Sequence, residues 1–519
     1  MGKTIPLNIS APGFMGLNTE RKGGILPHTW CTRGDNCVID KSGRVAARKG
    51  SRRTNTTTIT SSPLVKSIHE YIDGNGNNIV ICSAGNKIYS RTATTLTDIS
   101  GTITLPTADN WNFVNYNKVC VGFQSGHSPI VLTTTGGIFA DITLTGTQQP
   151  TSSTDNITAA YGRLWAIDGT DLKYSDSLTY TAWNNIFDLS TVWLSGMDEG
   201  VAVAEFNGQL IIFGKKSIII YNNPWSPTGT GTLDTSLMTL VESIKGIGCI
   251  ARDSIQHIGN DILFLSHTGV RSLSRTIQEK SMPLRDLSKN NKGELLIDVG
   301  GVVSLSDIKS AYNQAEGFYL LSLPNINNNT GITYYFDLRQ ILPDGSAKMM
   351  KWDTYFTAMS TDISNITFLG TAGYLNEYTN YKDNILSDGT GGSSYPLLYE
   401  SPWTIIQEDF QNYLKIPKRA GLILYGTSST SIVFKWAFDF LDIFTSRSIT
   451  IPISGALSEF GISEYGIGEF GGGGNYTNVT TNMSKSGRVI KFGIQLTVSG
   501  TEIAIQQISI QTKLGKMVI

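Results

Sequence analysis

Residues 159–175 read AAYGRLWAIDGTDLKYS and contain the unit from which the fold of this chain can be inferred. A short apolar stretch ends at a turn, a strongly apolar stretch follows, and Asp168-Gly169 separates it from a third stretch that contains Tyr174. Asp-Gly pairs supply the positive φ angles that tight β-hairpins require. The unit therefore predicts three short antiparallel strands joined by tight turns.

This unit recurs along the chain. The best copies are residues 204–221, AEFNGQLIIFGKKSIIIY with its Asn207-Gly208 turn, and residues 255–273, IQHIGNDILFLSHTGVRSL. Looser copies occupy residues 68–89, 111–132 and 311–336, and a shortened copy occupies residues 365–375. The middle strands lie near Val80, Cys120, Trp165, Ile212, Phe264, Leu320 and Phe368. Their spacing is roughly 40 to 56 residues, and a four-stranded propeller blade takes about 40–50. We expect an all-β fold built on a β-propeller, with six blades favoured and seven possible because the last copy is short.

Composition agrees with an all-β fold and excludes some functions. The 519 residues include 41 Lys and Arg against 42 Asp and Glu, so the formal net charge is −1. Only 16% of the residues are charged, compared with about 25% in ordinary domains. A near-zero net charge argues against a protein whose task is to hold nucleic acid on a basic surface.

The expected compartment follows from segments that the sequence lacks. No apolar run approaches the roughly 20 residues that span a bilayer, and residues 1–10 contain no apolar core of a secretory signal. The five cysteines are scattered and odd in number, which is typical of free thiols in a reducing compartment. We expect synthesis and folding in a cytoplasm.

The repeat suggests boundaries within the chain. We assign residues 1–60 to an N-terminal docking segment, residues 61–385 to the propeller, and residues 386–394, which read LSDGTGGSS, to a flexible linker. Residues 395–519 alternate apolar and polar side chains in long stretches, for example IVFKWAFDF at 432–440. They predict a C-terminal β domain of the sandwich type.

No catalytic or metal-binding constellation is recognisable, so we expect neither an enzyme nor a cofactor or metal. His257 and His267 are ten residues apart with Cys249 upstream, and metal motifs have shorter and more regular spacings. Cys31 and Cys37 form no CxxC pair, and no GxSxG sequence marks a hydrolase nucleophile.

Two segments are candidate sites. Residues 41–53, KSGRVAARKGSRR, contain no acidic residue, and their cations can contact an adaptor or a neighbouring subunit, contact DNA phosphates, or remain solvated. The residues concerned are Arg44, Arg48, Lys49, Arg52 and Arg53. The second segment, residues 459–475, combines many glycines with aromatic residues. We expect Phe460, Tyr465 and Phe470 to form a channel constriction or a partner contact.

Both ends of the chain resemble tail nozzle proteins of short-tailed bacteriophages, also known as tail tubular or stabilisation proteins. Residues 12–19, PGFMGLNT, and residues 36–52, NCVIDKSGRVAARKGSR, resemble the opening strand and the basic hairpin of that family. Arg48-Lys49-Gly50 stands where the family has Arg-Pro-Gly, so the proline is missing. The C-terminal layout is similar too, from Ser401-Pro402-Trp403 through residues 415–419 and 434–440 to residues 487–510.

The resemblance implies a structural protein of the virion tail that is present as a homohexamer around the DNA channel. It implies attachment beneath the tail adaptor, tail fibres or spikes at the periphery, genomic DNA passing through the lumen without specific binding, and contact with the host envelope at ejection. Independently, a near-neutral, Thr-, Ser- and Asn-rich chain suits a conduit, because each neutralised phosphate would add drag.

Two other functions remain open at the level of sequence. A carbohydrate-active or carbohydrate-binding propeller, such as a depolymerase or lectin, would place carboxylates and Trp at the propeller mouth. A cellular propeller that serves as an interaction scaffold would be a soluble monomer.

Overall fold

The structure is a computed structural model that describes residues 4–21, 26–101, 103, 110–193, 198–222, 238–279, 286–406, 409, 411–426, 431–451 and 476–517. It is all-β, with 52% strand and 7% helix. The predicted loop residues Phe460, Tyr465 and Phe470 lie outside the described residues.

The N-terminal segment contains seven short strands that belong to several different sheets. They are β1 (Thr4–Ser10), β2 (Gly16–Leu17), β3 (Trp30–Cys31), β4 (Arg33–Asp35), β5 (Cys37–Ile39), β6 (Val45–Ala47) and β7 (Ser51–Arg53). Strands β2 and β3 pair only with each other, in parallel.

Four antiparallel sheets of four strands follow in chain order. The first contains β8 (Val65–Ile72), β9 (Asn78–Ala84), β10 (Lys87–Thr92) and β11 (Thr95–Asp98); the second contains β12 (Asn112–Tyr116), β13 (Val119–Phe123), β14 (Ile130–Leu132) and β15 (Ala140–Asp141). The third contains β16 (Thr158–Ala160), β17 (Arg163–Asp168), β18 (Asp171–Tyr174) and β19 (Asn185–Asp188); the fourth contains β20 (Gly200–Phe206), β21 (Gln209–Gly214), β22 (Ser217–Asn222) and β23 (Leu240–Lys245). Each sheet is a meander in which neighbouring strands are consecutive in the chain.

The next three units depart from this pattern. The fifth sheet has three strands, β24 (Gln256–His257), β25 (Ile262–Ser266) and β26 (Gly269–Ser272), and is followed by helices α1 (Leu273–Glu279) and α2 (Lys292–Gly300). The sixth unit is the meander β27 (Lys309–Asn313), β28 (Phe318–Asn325), β29 (Thr330–Asp337) and β30 (Lys348–Trp352). The seventh contains β31 (Ala358–Thr361), β32 (Thr367–Thr371) and β33 (Tyr374–Tyr378), and its fourth strand is the N-terminal β7.

The seven units form a closed, β-propeller-like ring within the described part of the chain. The first strands of neighbouring sheets contact one another from β8 to β12, β16 and β20, and again from β24 to β27, β31 and back to β8. The fourth and fifth sheets share an apolar core in which the rings of Phe213 and Phe264 are 5.2 Å apart. Each repeat marker of the sequence analysis lies on the second strand of its sheet. The repeat spacing is therefore confirmed.

The Asn207-Gly208 turn follows the sequence prediction, because both residues have positive φ. At the other predicted turn Gly169 has positive φ, but Asp168 is the last residue of β17 and pairs with Asp171, so the turn residues are Gly169 and Thr170. These angles match the right-handed twist of the flanking strands and let two-residue connections close the hairpins.

The C-terminal strands combine with N-terminal ones. They are β34 (Asp383–Ile385), β35 (Gly391–Ser393), β36 (Tyr395–Glu400), β37 (Tyr413–Gly426), β38 (Ser431–Phe438), β39 (Thr445–Thr450), β40 (Tyr476–Asn482), β41 (Ile490–Val498) and β42 (Ile503–Met517). One sheet has the order β40-β37-β42-β6-β5, and β1 pairs with β42. A nine-stranded sheet has the order β27-β28-β29-β30-β4-β36-β41-β38-β39. We refer to residues 4–47 together with residues 395–517 as the platform.

The predicted N-terminal docking segment is wrong as a separate unit, because β1, β4, β6 and β7 pair with strands from distant parts of the chain. Strand β4 lies between β30 and β36, β5 and β6 extend the sheet of β42, and β7 completes the last ring sheet. Strands β2 to β7 have only two or three residues each, which is too few to bury an apolar face alone. They therefore fold by pairing with other strands.

The predicted linker at residues 386–394 is also wrong, since this segment belongs to a β-hairpin. Strand β35 pairs with β34, and the main chain of Leu386 bonds to that of Thr390 at 2.9 Å. Gly389, Gly391 and Gly392 all have positive φ. The glycines therefore serve turn geometry and not chain flexibility.

The pairing of β1 with β42 allows a direct test of the platform. In β1 every second side chain is buried, and Leu7 is in the largest core cluster while the neighbouring Asn8 is exposed. We expect Leu7→Ala to destabilise the platform by about 2–5 kcal/mol because of lost burial and a residual cavity. We expect Asn8→Ala to change stability by about 0.5 kcal/mol at most. Urea unfolding followed by tryptophan fluorescence measures both, and equal effects of the two changes would contradict the packing of β1.

Candidate functional site

A cavity of about 560 Å³ lies at the centre of the ring. Its walls are the first strands of the ring sheets, which contribute small side chains such as Ala202 and Ala204 and polar ones such as Asn112 and Gln256. Sequence analysis did not single out this cavity, because its wall residues are adjacent only after the ring closes.

Three charged side chains form a compact cluster in the wall of this cavity. The guanidinium of Arg252 donates to Asp253 at 2.7 Å, and the ammonium of Lys309 donates to the other carboxylate oxygen of Asp253. Lys309 also donates to the Asn110 side chain, and Arg252 donates to the main-chain carbonyl of Asp155. The cluster therefore joins the second, third, fifth and sixth ring sheets at their inner edges.

The electrostatics of the cluster follow from burial and pairing. Burial alone would raise the pKa of Asp253, but Arg252 and Lys309 hold that pKa well below its ordinary value. Burial lowers the pKa of Lys309 even though Asp253 is adjacent. All three groups are hydrogen-bonded, which is the condition under which buried charges are tolerated.

Two histidines and two carboxylates also lie at or beside the cavity. Burial lowers the pKa of the His69 imidazole, whereas His257 is exposed at the end of β24. The carboxylate of Glu70 accepts from the main-chain NH of Ile363 at 2.8 Å, and that of Asp362 accepts from the NH of Ile366 at 2.7 Å. Both carboxylates thus stabilise turn backbone. Among the described residues, no group of three or more His, Cys, Asp or Glu side chains is arranged to hold a metal ion.

Arg48 of the predicted basic segment is an internal structural residue. Its side chain is 2% exposed, and its guanidinium donates to both oxygens of Asp383 at 2.7 and 2.8 Å. It also donates to the side chain of Asn36 at 3.0 Å and lies 4.1 Å from the centre of the Tyr395 ring. The predicted adaptor or subunit contact at Arg48 is therefore wrong, because no partner can reach a guanidinium that is fully enclosed.

Four other cations of this segment are paired or stacked within the chain as well, whereas Lys41 is exposed. Arg44 pairs with Asp40 and stacks on Tyr425, while Lys49 pairs with Glu316. Arg52 pairs with Glu377 but is 41% exposed, and Arg53 stacks on Tyr374. The structure brings these residues to the junction of ring and platform, and a contact of Arg44, Lys49, Arg52 or Arg53 with a partner stays a prediction.

Gly50 occupies a position that no other residue fits. A Cβ on Gly50 would lie 1.9 Å from the carbonyl oxygen of Lys382. The glycine that follows Arg48-Lys49 thus allows β7 to approach residues 380–382, whose backbone bonds to Gly50 and Ser51 at 2.9 and 3.0 Å.

Comparison with known proteins gives matches among solved structures alone. No protein-family model matches the chain, and no curated protein matches it. Among solved structures, PorZ of the type-IX secretion system of Porphyromonas gingivalis matches with 13% identity and a TM-score of 0.35, covering 62% of this chain and 37% of PorZ. A streptogramin B lyase matches with 14% identity and a TM-score of 0.35, covering 62% of this chain and 95% of the lyase.

A third match is the extracellular domain of a putative one-component system from B. thetaiotaomicron, with 11% identity and a TM-score of 0.38. It covers 86% of this chain and 59% of that protein. With TM-scores below 0.5 these matches carry no argument about this chain, and the description of the fold rests on its strand pairing. No helix within the described ranges is both long and apolar enough to cross a membrane.

Arg48 and Arg52 form a matched pair for mutation. We expect Arg48→Met to destabilise the protein by about 3 kcal/mol or more, because it leaves Asp383 without its buried partner. We expect Arg52→Met, which removes a half-exposed ion pair, to cost about 1 kcal/mol at most. Unfolding midpoints in urea test the difference. Arg48→Met combined with Asp383→Leu should recover stability, and equal losses in the two single variants would contradict the internal role of Arg48.

The charged cluster predicts a pH dependence of stability. A carboxyl group whose folded-state pKa is depressed stabilises the fold above its unfolded-state pKa of about 4, and this contribution is lost as the pH falls. We expect Asp253→Asn to lower the thermal midpoint at pH 7, and the gap from the unmodified protein to narrow as the pH falls from 5 to about 3. Differential scanning fluorimetry across this range measures the gap. A gap that stays constant with pH would contradict the assignment.

Proposed function

We propose that this protein is a structural component of the tail of a short-tailed bacteriophage, the tail nozzle, and not an enzyme. One observation carries the proposal: the two distant segments that resemble the nozzle family fold together. Strand β1, which precedes the PGFMGLNT segment, pairs with β42 along its whole length, and β5 and β6 of the basic hairpin pair with each other and extend the sheet of β42. The resemblance at both ends thus belongs to a single folded unit, the platform, with the ring inserted between its halves.

The finer architecture belongs to this proposal. We infer a seven-bladed β-propeller, one blade more than the number favoured by the sequence, in which β7 completes the last blade. Residues 395–517 form most of a two-layered β domain, because strands of both platform sheets contribute to the same core cluster. A ring closed by an N-terminal strand resists opening, since the two ends of the ring are joined by main-chain hydrogen bonds.

The charge arrangement suits a wall around DNA. The basic segment is the densest run of cations in the sequence, and within the structure its side chains face Asp40, Asp383, Glu316 and Glu377. Cations neutralised by carboxylates of the same chain do not release counterions from DNA, so they add little friction. We propose a homohexamer in the virion, with the tail adaptor, fibre or spike proteins and the host envelope as partners and genomic DNA passing without specific binding.

The test is electron microscopy of the native particle with an antibody fragment raised against the platform. Six fragments in a ring on a short tail would support the nozzle function. Label elsewhere, or no association with particles, would contradict it and would favour the carbohydrate-binding propeller. Release of reducing sugar from host polysaccharide would then identify an enzyme.

A further inference from the structure

The hairpin between β38 and β39 exposes a cluster of large apolar side chains at its end. Phe440, Leu441 and Ile443 are 58%, 62% and 72% exposed, and they are neighbours in sequence. We refer to residues 439–443 as the apolar tip. Scattered exposed apolar residues are ordinary, but contiguous ones mark contact sites.

The backbone of the apolar tip is itself unusual. The NH of Leu441 donates to the carbonyl of Phe438 at 3.1 Å, and the two central residues, Asp439 and Phe440, have φ of +52° and +61°. Such turns ordinarily take Asn or Gly at these positions, and a bulky residue with positive φ is strained. The Phe440 side chain is nevertheless 58% exposed, so burial within its own chain offsets the backbone strain only in part.

The apolar tip is held in a fixed position by its surroundings. The Phe440 ring lies 5.3 Å from that of Trp403, and the main-chain NH groups of Arg488 and Val489 donate to the Asp439 carboxylate. Lys491 lies 3.7 Å from the exposed carboxylate of Asp442. A preorganised apolar projection loses little entropy when it binds, which favours a docking role over random exposure.

A cleft of about 220 Å³ lies at the junction of ring and platform, and it suits such a projection. Its walls include Val38 on β5, Phe318 on β28, Tyr335 on β29 and Tyr378 on β33. Eight of its fourteen lining residues are aliphatic or aromatic and six are charged, and its volume is close to that of one or two apolar side chains. Lys41 is an exposed cation on its rim and forms no ion pair with the described residues.

The apolar tip and the cleft occupy opposite ends of the nine-stranded sheet. The tip joins the last two strands, β38 and β39, whereas Phe318 and Tyr335 are on the second and third strands. Five strand spacings separate β29 from β38, which is roughly 24 Å. A tip therefore cannot enter the cleft of its own chain. In a closed ring of more than two copies, each contact is heterologous: it joins one patch of a subunit to a different patch of the next. Each subunit therefore needs two different patches on opposite sides.

We propose that the apolar tip of one copy of this chain inserts into the cleft of the next copy. Phe440 and Leu441 enter the cleft, and Asp442 of the tip pairs with Lys41 on the rim. The inference rests on the proposed function, since it names the contact by which nozzle subunits form their ring.

The first experiment exploits the left-handed backbone of Phe440. We expect Phe440→Asn to raise the thermal midpoint of the dissociated chain, because Asn adopts positive φ more readily. The same change should raise the concentration at which the full-length chain associates by about tenfold or more, as for loss of a central aromatic contact. Sedimentation velocity and scanning fluorimetry measure the two effects, and their opposite signs separate docking from a purely structural role.

Leu178→Asn is the matched control. Leu178 is also exposed, with φ of +57°, but its neighbours are Ser177 and Thr179, so it belongs to no apolar cluster. Leu178→Asn should raise the thermal midpoint by the same relief of backbone strain, and it should leave the association of the full-length chain unchanged. Unchanged association in Phe440→Asn, or equal weakening in both variants, would overturn the inference.

The second experiment uses cysteine cross-linking of Leu441→Cys combined with Val38→Cys. The five native cysteines are buried, so they do not compete. Oxidation of the concentrated full-length protein should yield multiples of the monomer mass, whereas Leu178→Cys with Val38→Cys should yield none. Absence of cross-linked multimers in the tip variant would overturn the inference. A ladder that closes at a number other than six would support the contact and contradict the hexameric nozzle.

Discussion

The ion pair between Arg48 and Asp383 is the interaction on which the arrangement of this molecule depends. It joins Arg48, which directly follows β6, to the first residue of β34, so it fixes the point at which the last ring sheet meets the platform. Around it, Asn36, Tyr395 and Trp352 contact the same guanidinium, and these residues belong to the segments that connect ring and platform. A guanidinium satisfies several acceptors in fixed directions, which an apolar side chain of similar volume cannot do. The buried charge thus specifies how the two parts of the chain are joined.

Much of the ring could be predicted from the sequence because its information is local. Each hairpin is encoded within about twenty residues by apolar alternation and a turn with positive φ, as at Asn207-Gly208. The pairing of N-terminal strands with distant ones has no local signal. Strand β7 completes a sheet whose other strands begin at Ala358, and β4 bridges β30 and β36 through a few residues. Polar side chains in such short strands look like loops until their partners are known.

The candidate sites likewise depend on contacts between residues that are far apart in the sequence. The basic segment was conspicuous as a run of cations, but the acidic partners Glu316, Glu377 and Asp383 are some 270 to 335 residues away along the chain. The net charge of a short sequence segment therefore does not predict the charge of the folded surface when distant parts of the chain supply the neutralising carboxylates. The apolar tip was missed for the opposite reason. FLDIF at 440–444 directly follows the alternating segment that ends at Phe440, and only the turn that begins at Phe438 shows that its side chains are exposed to solvent.

The pairing of β1 with β42 has a consequence for biosynthesis. Strand β1 is synthesised before the ring and has one apolar face, whereas its partner β42 is synthesised after the ring. The ring sheets are encoded between them and consist of local hairpins, which form quickly once synthesised. The platform can therefore close only after β42 has been synthesised. A chain terminated before β42 would contain a ring without a finished platform.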